Sequence, residues 1–229
     1  MTPPHATPDW SLFDQRALEP LRERWLCRGG PWKADLSVVS SGGCRAVLKD
    51  FSTKSRLTRL LGRFQVAREV RVYRALAGLE GVPPLLARPS PDSLLVGYVD
   101  GGRLSKQRGS EDAPRLARQL QSLIEEFHRR GVAHVDLRGR NNILVDTSRR
   151  LWVLDFGASW LRGSGGGLRH LLFAIGRRVD RAGVLKWRLL LDPHSVGQRA
   201  QRRNALFMKL RRLWFFNPKG RARPHGSSR

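Results

Sequence analysis

The chain has 229 residues and a formal net charge of +24, with 43 lysines and arginines against 19 acidic residues. This length suits one domain of moderate size, or two small lobes that share a core. The charge does not restrict the fold, but it predicts a polyanionic partner such as nucleic acid, an anionic membrane surface or a phosphorylated small molecule.

The compartment can be inferred from what the sequence lacks. Cys27 and Cys44 have no metal-ligand spacing, which disfavours a disulfide scaffold and favours a reducing environment. The N-terminus has no basic-then-apolar signal pattern, and the longest apolar run, Leu171–Ile175, has five residues. We therefore expect a cytoplasmic chain that is able to lie on a membrane surface.

The N-terminal half predicts mainly strands. In chain order, the patterns indicate a short helix over 11–27, strands in DLSVVSS (35–41) and AVLKDF (46–51), a basic helix over 54–77, and two short strands in 82–102.

The C-terminal half predicts mainly helices. A helix over 113–130 has Pro114 in its first turn and Gly131 after its end. A hairpin of Ile143–Val145 with Leu151–Leu154 precedes helices from about 168 to 216. This order predicts an α+β fold with two lobes. Its parts would be an N-terminal extension (1–34), a β-rich N-lobe (35–100), a reduced helical C-lobe (101–195) and a basic-aromatic tail (196–229).

Three oxygen-bearing side chains stand next to the predicted hairpin. Asp136 and Asn141 precede its first strand, and Asp155 follows its second strand. Carboxylate and carboxamide oxygens are ligands that suit Mg²⁺, which takes its remaining ligands from phosphate and water. Asp136 could instead accept a proton from a hydroxyl nucleophile. The tandem Asn141-Asn142 leaves the ligand register ambiguous.

Positively charged and amide groups elsewhere complete a set for phosphoryl transfer. Lys49 on a strand could neutralise phosphates, and Glu69 on the next helix could hold that lysine. Arg138 could reach the transferred phosphate, and the backbone amides of Gly42 and Gly43 could cover the others, although the two glycines also suit a plain hairpin turn.

The motifs HVDLRGRNN, DFG, LKDF and REVRVY, in this order, resemble the protein-kinase-like superfamily over roughly residues 35–190. The resemblance implies that Asp136 is the catalytic base and that Lys49 with Glu69 binds ATP. It also implies that Asn141, which lies five residues after Asp136, holds Mg²⁺ together with Asp155. It further implies that Tyr98, Val99 and Asp100 form the hinge that carries adenine. Structural roles would fall to His134, to Gly157 of the DFG motif, and to Asp180, which would anchor the catalytic loop from below.

Several departures from this pattern bear on the acceptor. SSGGCR replaces a full glycine-rich motif, and only 24 residues separate Asp155 from Asp180. The compact design is similar to bacterial lipopolysaccharide core (Kdo and heptose) kinases and to RIO and Bud32-like kinases. The resemblance therefore implies an ATP- and Mg²⁺-dependent kinase whose favoured acceptor is a sugar hydroxyl on an anionic glycolipid. The alternatives are an atypical serine/threonine protein kinase and a non-catalytic pseudokinase scaffold.

The tail, 196–229, holds ten lysines and arginines, no acid, and the segment FMKLRRLWFF. Its composition is compatible with a solvated basic helix, but the mixture of aromatic and basic residues favours an anionic membrane surface, with nucleic acid as a weaker candidate.

Overall fold

A computed structural model describes residues 8–139, 141–163 and 166–197. A short 3₁₀ helix, Trp10–Leu12, and helix α1, Gln15–Leu18, precede the first strand. An antiparallel sheet of five strands follows, in the spatial order β1-β2-β3-β5-β4. Its strands are β1 (Arg22–Cys27), β2 (Asp35–Ser41), β3 (Cys44–Asp50), β4 (Leu85–Ser90) and β5 (Ser93–Gly97).

The predicted helix over 11–27 is wrong for its second half. Pro20 has no backbone N–H and cannot continue a helix, and β1 pairs with β2 as an edge strand of the sheet. The predicted N-terminal extension, 1–34, thus contributes a strand to the sheet of the N-terminal lobe.

The long helix α2, Arg56–Ala75, crosses between β3 and β4 as predicted. Ser55 begins it, because its hydroxyl accepts a hydrogen bond from the backbone N–H of Thr58. The helix buries Val66, Val70 and Tyr73, which join the main hydrophobic core. The glycine at 62 lets α2 approach closely, because a Cβ there would stand 2.5 Å from the Phe51 ring.

The C-terminal lobe is built on α3 (Ala113–Arg129) and α4 (Gly167–Leu191). Three strands form a small sheet beside them: β6 (Gly101–Arg103), β8 (Ile143–Asp146) and β9 (Leu151–Val153), with β8 in the centre. Two short strands, β7 (Val132–Ala133) and β10 (Trp160–Leu161), pair with each other. The predicted hairpin and the helix over 113–130 are confirmed.

Two glycines allow α4 to pack against β7 and the segment after it. A Cβ on Gly176 would lie 2.8 Å from the Ala133 Cβ, and one on Gly183 would lie 2.9 Å from the Leu137 Cβ. The close approach of α4 positions the loop that follows β7. No helix in the described ranges is long and apolar enough to cross a membrane. Apart from Val196 and Gly197, the tail predicted to bind anionic surfaces lies outside the described residues.

Candidate functional site

Lys49 contacts one carboxylate of its own lobe and one of the other lobe. Antiparallel pairing places Lys49 between Leu36 of β2 and Leu94 of β5. Its Nζ lies 2.8 Å from Oε2 and 3.1 Å from Oε1 of Glu69 on α2, and 3.0 Å from Oδ1 of Asp155. Three residues that are distant in sequence thus converge on one buried cation.

The pKa values in this cluster follow from burial and mutual charge. Burial disfavours the charged ammonium of Lys49, but the charges of Glu69 and Asp155 outweigh it, so its pKa is raised above the ordinary value. Burial raises the pKa of Glu69, and the charge of Lys49 opposes that rise. Burial also acts to raise the pKa of Asp155, yet the Lys49 charge prevails and lowers it. Asp155 is therefore ionised at neutral pH.

Asp155 stands at a sharp change of chain direction. Its φ is +61°, a left-handed conformation that non-glycine residues seldom adopt. Its side chain keeps 56% of its surface exposed, so it projects from the buried hairpin towards solvent. The next residue, Phe156, turns the other way into the core, where it packs edge-on against Tyr73 of α2 at 5.0 Å between ring centroids and against His134 at 5.2 Å.

Gly157 completes this turn. Its N–H donates to Asp155 Oδ1 at 3.3 Å, and its carbonyl accepts a hydrogen bond from Arg68 of α2. A Cβ at this position would stand 3.1 Å from Asp155 Oδ1 and 3.4 Å from Lys49 Nζ. The glycine thus keeps the space over the Lys49–Asp155 pair open.

The loop from His134 to Asn142 carries Asp136, and Asp180 holds its beginning. The Asp180 carboxylate accepts hydrogen bonds from the backbone N–H of His134 at 2.8 Å and of Val135 at 2.7 Å. It also lies 3.0 Å from Nε2 of His128. His134 in turn places its own Nε2 3.0 Å from the carbonyl oxygen of Leu154, next to Asp155. These bonds fix the loop to α4 on one side and to Leu154, the residue after β9, on the other.

The structure distinguishes the two asparagines at the end of this loop. Asn141, chosen from the spacing, is exposed. Asn142 is buried, and its Nδ2 donates to Asp136 Oδ2 at 3.0 Å and to the Asp136 carbonyl at 2.8 Å. The backbone carbonyl of Asn142 accepts a hydrogen bond from the Leu154 N–H at 2.8 Å, which places Asn142 beside the residue before Asp155.

The other residues predicted for the site are Arg138, Gly42, Gly43 and the segment Tyr98–Asp100. Arg138 is half-buried, and its carbonyl accepts a hydrogen bond from Lys186 of α4 at 3.0 Å. Gly42 and Gly43, with φ of +54° and +77°, form a two-residue hairpin turn between Ser41 and Cys44.

The segment Tyr98–Asp100 follows β5 and leads directly to β6 of the other lobe. The Tyr98 hydroxyl accepts a hydrogen bond from Arg24 of β1 at 2.9 Å, and its ring lies 5.9 Å from the guanidinium carbons of Arg24 and Arg45. The linker is thus fixed against the edge of the large sheet.

Comparison with known proteins agrees with this layout. No family model matches the chain. Over 108 residues, 44% of the chain, it is 33% identical to CBL-interacting serine/threonine-protein kinase 21 of Arabidopsis thaliana, and the match covers 26% of that protein. Over 156 residues, 64% of the chain, it is 26% identical to a probable myosin light chain kinase of Dictyostelium discoideum, and the match covers 50% of that protein. The chain thus has distant, partial homology to members of the protein-kinase-like superfamily.

The chain matches only part of each relative, about a quarter of the length of the first and about half of the length of the second. Its α+β architecture, with a five-stranded sheet and one long helix followed by a helical part, agrees with the two-lobed kinase-like fold that the motifs predicted.

The sequence analysis did not predict two residues that contact this site. His128 lies in the last turn of α3 as part of a helical pattern, and only the docking of α4 brings it to Asp180. Arg68 neighbours Glu69 on α2, but its bond to Gly157 depends on the fold of the turn after Asp155. The spacing of the motifs carries no signal for either contact.

Proposed function

We propose that the chain is an ATP- and Mg²⁺-dependent phosphotransferase that acts on serine or threonine hydroxyls of a protein. The observation that carries this proposal is the convergence of Lys49 on Glu69 and Asp155, beside a loop in which Asp136 contacts Asn142. Phosphoryl transfer requires charge neutralisation, metal ligands and a base near one another, and this set supplies all three.

The residues present fit a magnesium ion. Asp155 offers an ionised and accessible carboxylate. The side-chain NH₂ of Asn142 donates to Asp136, so the side-chain oxygen Oδ1 of Asn142 is the atom available to a cation. Both are hard oxygen ligands of the kind that Mg²⁺ prefers. No three His, Cys, Asp or Glu side chains cluster as a metal site within the described ranges. Phosphate and water would supply the other ligands of an ion held by Asp155 and Asn142. Bound Mg²⁺ would neutralise phosphate charge.

The side chains of the protein would then divide the work. Lys49, held by Glu69, would contact the non-transferred phosphates of ATP. Asp136 would orient the acceptor hydroxyl and take its proton as the hydroxyl oxygen bonds to the γ-phosphorus and the bond to the ADP oxygen breaks. The Gly42-Gly43 turn would contact the phosphates, the Tyr98–Asp100 linker would contact adenine, and Arg138 would approach the transferred group.

The choice of a protein acceptor is supported by the relatives, which are named as serine/threonine or light-chain kinases. They favour the alternative of a serine/threonine protein kinase over a kinase that acts on a lipopolysaccharide sugar. The presence of Lys49, Glu69, Asp136 and Asp155 in one site opposes a pseudokinase scaffold.

A glycolipid acceptor is a second candidate, because one surface suits a membrane. Leu57, Leu60, Leu61 and Phe64 form an apolar stripe along α2, and each is more than half exposed. With the net charge of +24, this stripe would favour contact with an anionic bilayer.

Transfer of labelled γ-phosphate decides between these acceptors. We expect the purified chain to label serine or threonine in a dephosphorylated casein, detected by phosphoamino-acid analysis, and we expect the Lys49→Met variant to lose that transfer. Labelling of a glycolipid in anionic vesicles, with none in protein, would reject the protein acceptor in favour of the second candidate. No transfer to either acceptor by a folded chain that binds ATP would support the scaffold.

The tandem asparagines give a sharper test of the metal site. We expect Asn142→Ala to lower the transfer rate by at least about tenfold and to raise the Mg²⁺ concentration needed for half-maximal rate, because it removes both a proposed ligand and the bond to Asp136. Asn141→Ala is the matched control, since Asn141 is exposed, and we expect its rate to stay within about twofold of wild type. A larger loss in Asn141→Ala than in Asn142→Ala would restore the register predicted from the spacing.

A further inference from the structure

A second concave site lies between α3 and α4, apart from the residues proposed to bind ATP. Its cavity volume is about 680 Å³, which falls within the range of roughly 300–1,000 Å³ for small-molecule sites. Five arginines line it: Arg129, Arg162, Arg177, Arg181 and Arg188. Glu125 is the acidic residue in the lining, so the cavity carries an excess of positive charge.

The carboxylates near this cavity are committed to other partners. Glu126 of α3 pairs with Arg129 and with Arg130, which points away to the carbonyl of Ala77. Asp180 accepts its bonds from His128 and from the loop that carries Asp136. Glu125 in the lining accepts a hydrogen bond from Gln121 at 3.0 Å, and its single negative charge stands against five arginines.

Two of the arginines are held against the same aromatic ring. The guanidinium carbons of Arg162 and Arg177 each lie 5.9 Å from the centroid of Phe173. Within the described ranges, Nε of Arg177 is buried and has no hydrogen-bond partner. A buried guanidinium N–H without an acceptor is costly, and like charges at one ring repel each other. An anion in the cavity would offset the repulsion between the two guanidinium groups.

We propose that the cavity between α3 and α4 binds a phosphorylated ligand. Planar guanidinium groups bind phosphate oxygens in pairs and discriminate in favour of phosphate geometry. Arg188 is already oriented, because it donates to Gln121 at 3.1 Å and to the Ser195 carbonyl at 3.1 Å. The ligand is a compact polyanion, either a soluble phosphorylated metabolite or the phosphate headgroup of an anionic lipid.

His128 connects this cavity with the proposed active site. It lines the cavity, and its Nε2 contacts Asp180, which holds the backbone of His134 and Val135. A ligand that binds only the folded chain raises its unfolding temperature by mass action. Ligand binding here is therefore expected to stabilise the lobe that carries Asp136.

The test measures binding of inorganic pyrophosphate by calorimetry while the nucleotide site is saturated with Mg²⁺ and a non-hydrolysable ATP analogue. We expect one site in the wild-type chain, and at least about tenfold weaker affinity in Arg177→Gln/Arg181→Gln, because charge-assisted hydrogen bonds are lost. Arg178→Gln is the matched control, since Arg178 is exposed on the same helix and does not line the cavity. Its affinity should stay within about twofold.

A parallel arm distinguishes the two ligand sources. Vesicles with phosphatidic acid, compared with pure phosphatidylcholine, would bind the chain and lose that binding in the double variant if the ligand is a lipid headgroup. Arg181→Gln alone replaces the double variant if thermal unfolding shows that the latter does not fold. Unchanged affinity in the arginine variants, equal losses in Arg178→Gln, or no binding of either probe by the wild type would overturn the proposal.

Discussion

Replacing Asp136 with asparagine is expected to lower the rate of phosphate transfer by about 10²–10⁴-fold, the usual contribution of a positioned general base. The substitution keeps the size of the side chain and one oxygen that is able to accept the bond from Asn142, which now lies at 3.0 Å. It removes the carboxylate that would take the proton of the acceptor hydroxyl. The loss should therefore fall on turnover, while the affinity for nucleotide stays close to that of the wild type.

Three measurements check this result: the transfer rate at saturating ATP, the affinity for a fluorescent ATP analogue, and the unfolding temperature. Asp112→Asn is a suitable control, because Asp112 is an acid at the start of α3 that pairs with Arg115 and Arg149. It should retain full transfer activity. Wild-type turnover in Asp136→Asn would show that the loop aspartate is not the base.

Local patterns in the sequence predicted much of the fold. Short apolar runs bounded by turn residues predicted β2 and β3, and helical spacing predicted α2 and α3, whose buried residues join the main core. The strand β1 escaped prediction, since its burial pattern is irregular and its hydrogen bonds come from β2. Edge pairing of this kind depends on tertiary context more than on local propensity.

The sequence predicted the part of the candidate site that lies on consecutive elements of the fold. Lys49 and Glu69 stand on consecutive elements, and their ion pair follows from the packing of α2 on the sheet. The choice between Asn141 and Asn142 depends on the length of one loop, where a shift of a single residue exchanges the exposed and the buried side chain. The arginine-lined cavity needs the relative placement of α3 and α4, which no local pattern specifies.

Asp180 is expected to be among the most costly residues of the C-terminal lobe to remove. Its carboxylate is fully buried and accepts bonds from two backbone N–H groups and lies within hydrogen-bond distance of His128. Asp180→Ala would leave these donors buried without an acceptor, at about 1–3 kcal/mol for each group. We therefore expect the free energy of unfolding to fall by about 3–5 kcal/mol, as for the loss of one partner from a buried network.

The same substitution should also reduce activity in the molecules that remain folded. Val135 has a φ of +68°, which is unfavourable for a β-branched residue, and its N–H bond to Asp180 Oδ1 at 2.7 Å helps to hold that conformation. Without the bond, Val135 can relax to an ordinary φ, which would displace the adjacent Asp136. We expect at least about a tenfold lower transfer rate at a temperature where circular dichroism shows the variant to be folded.

Asp192→Ala provides the comparison, because Asp192 follows the end of the same helix and makes no capping hydrogen bond with its side chain. Its free energy of unfolding should change by about 0.5 kcal/mol or less. Urea denaturation of the three chains gives the stabilities, and the transfer assay at low temperature gives the rates. A loss of stability without a loss of rate would assign Asp180 to packing alone, whereas loss of both follows if its carboxylate holds the strained turn before Asp136.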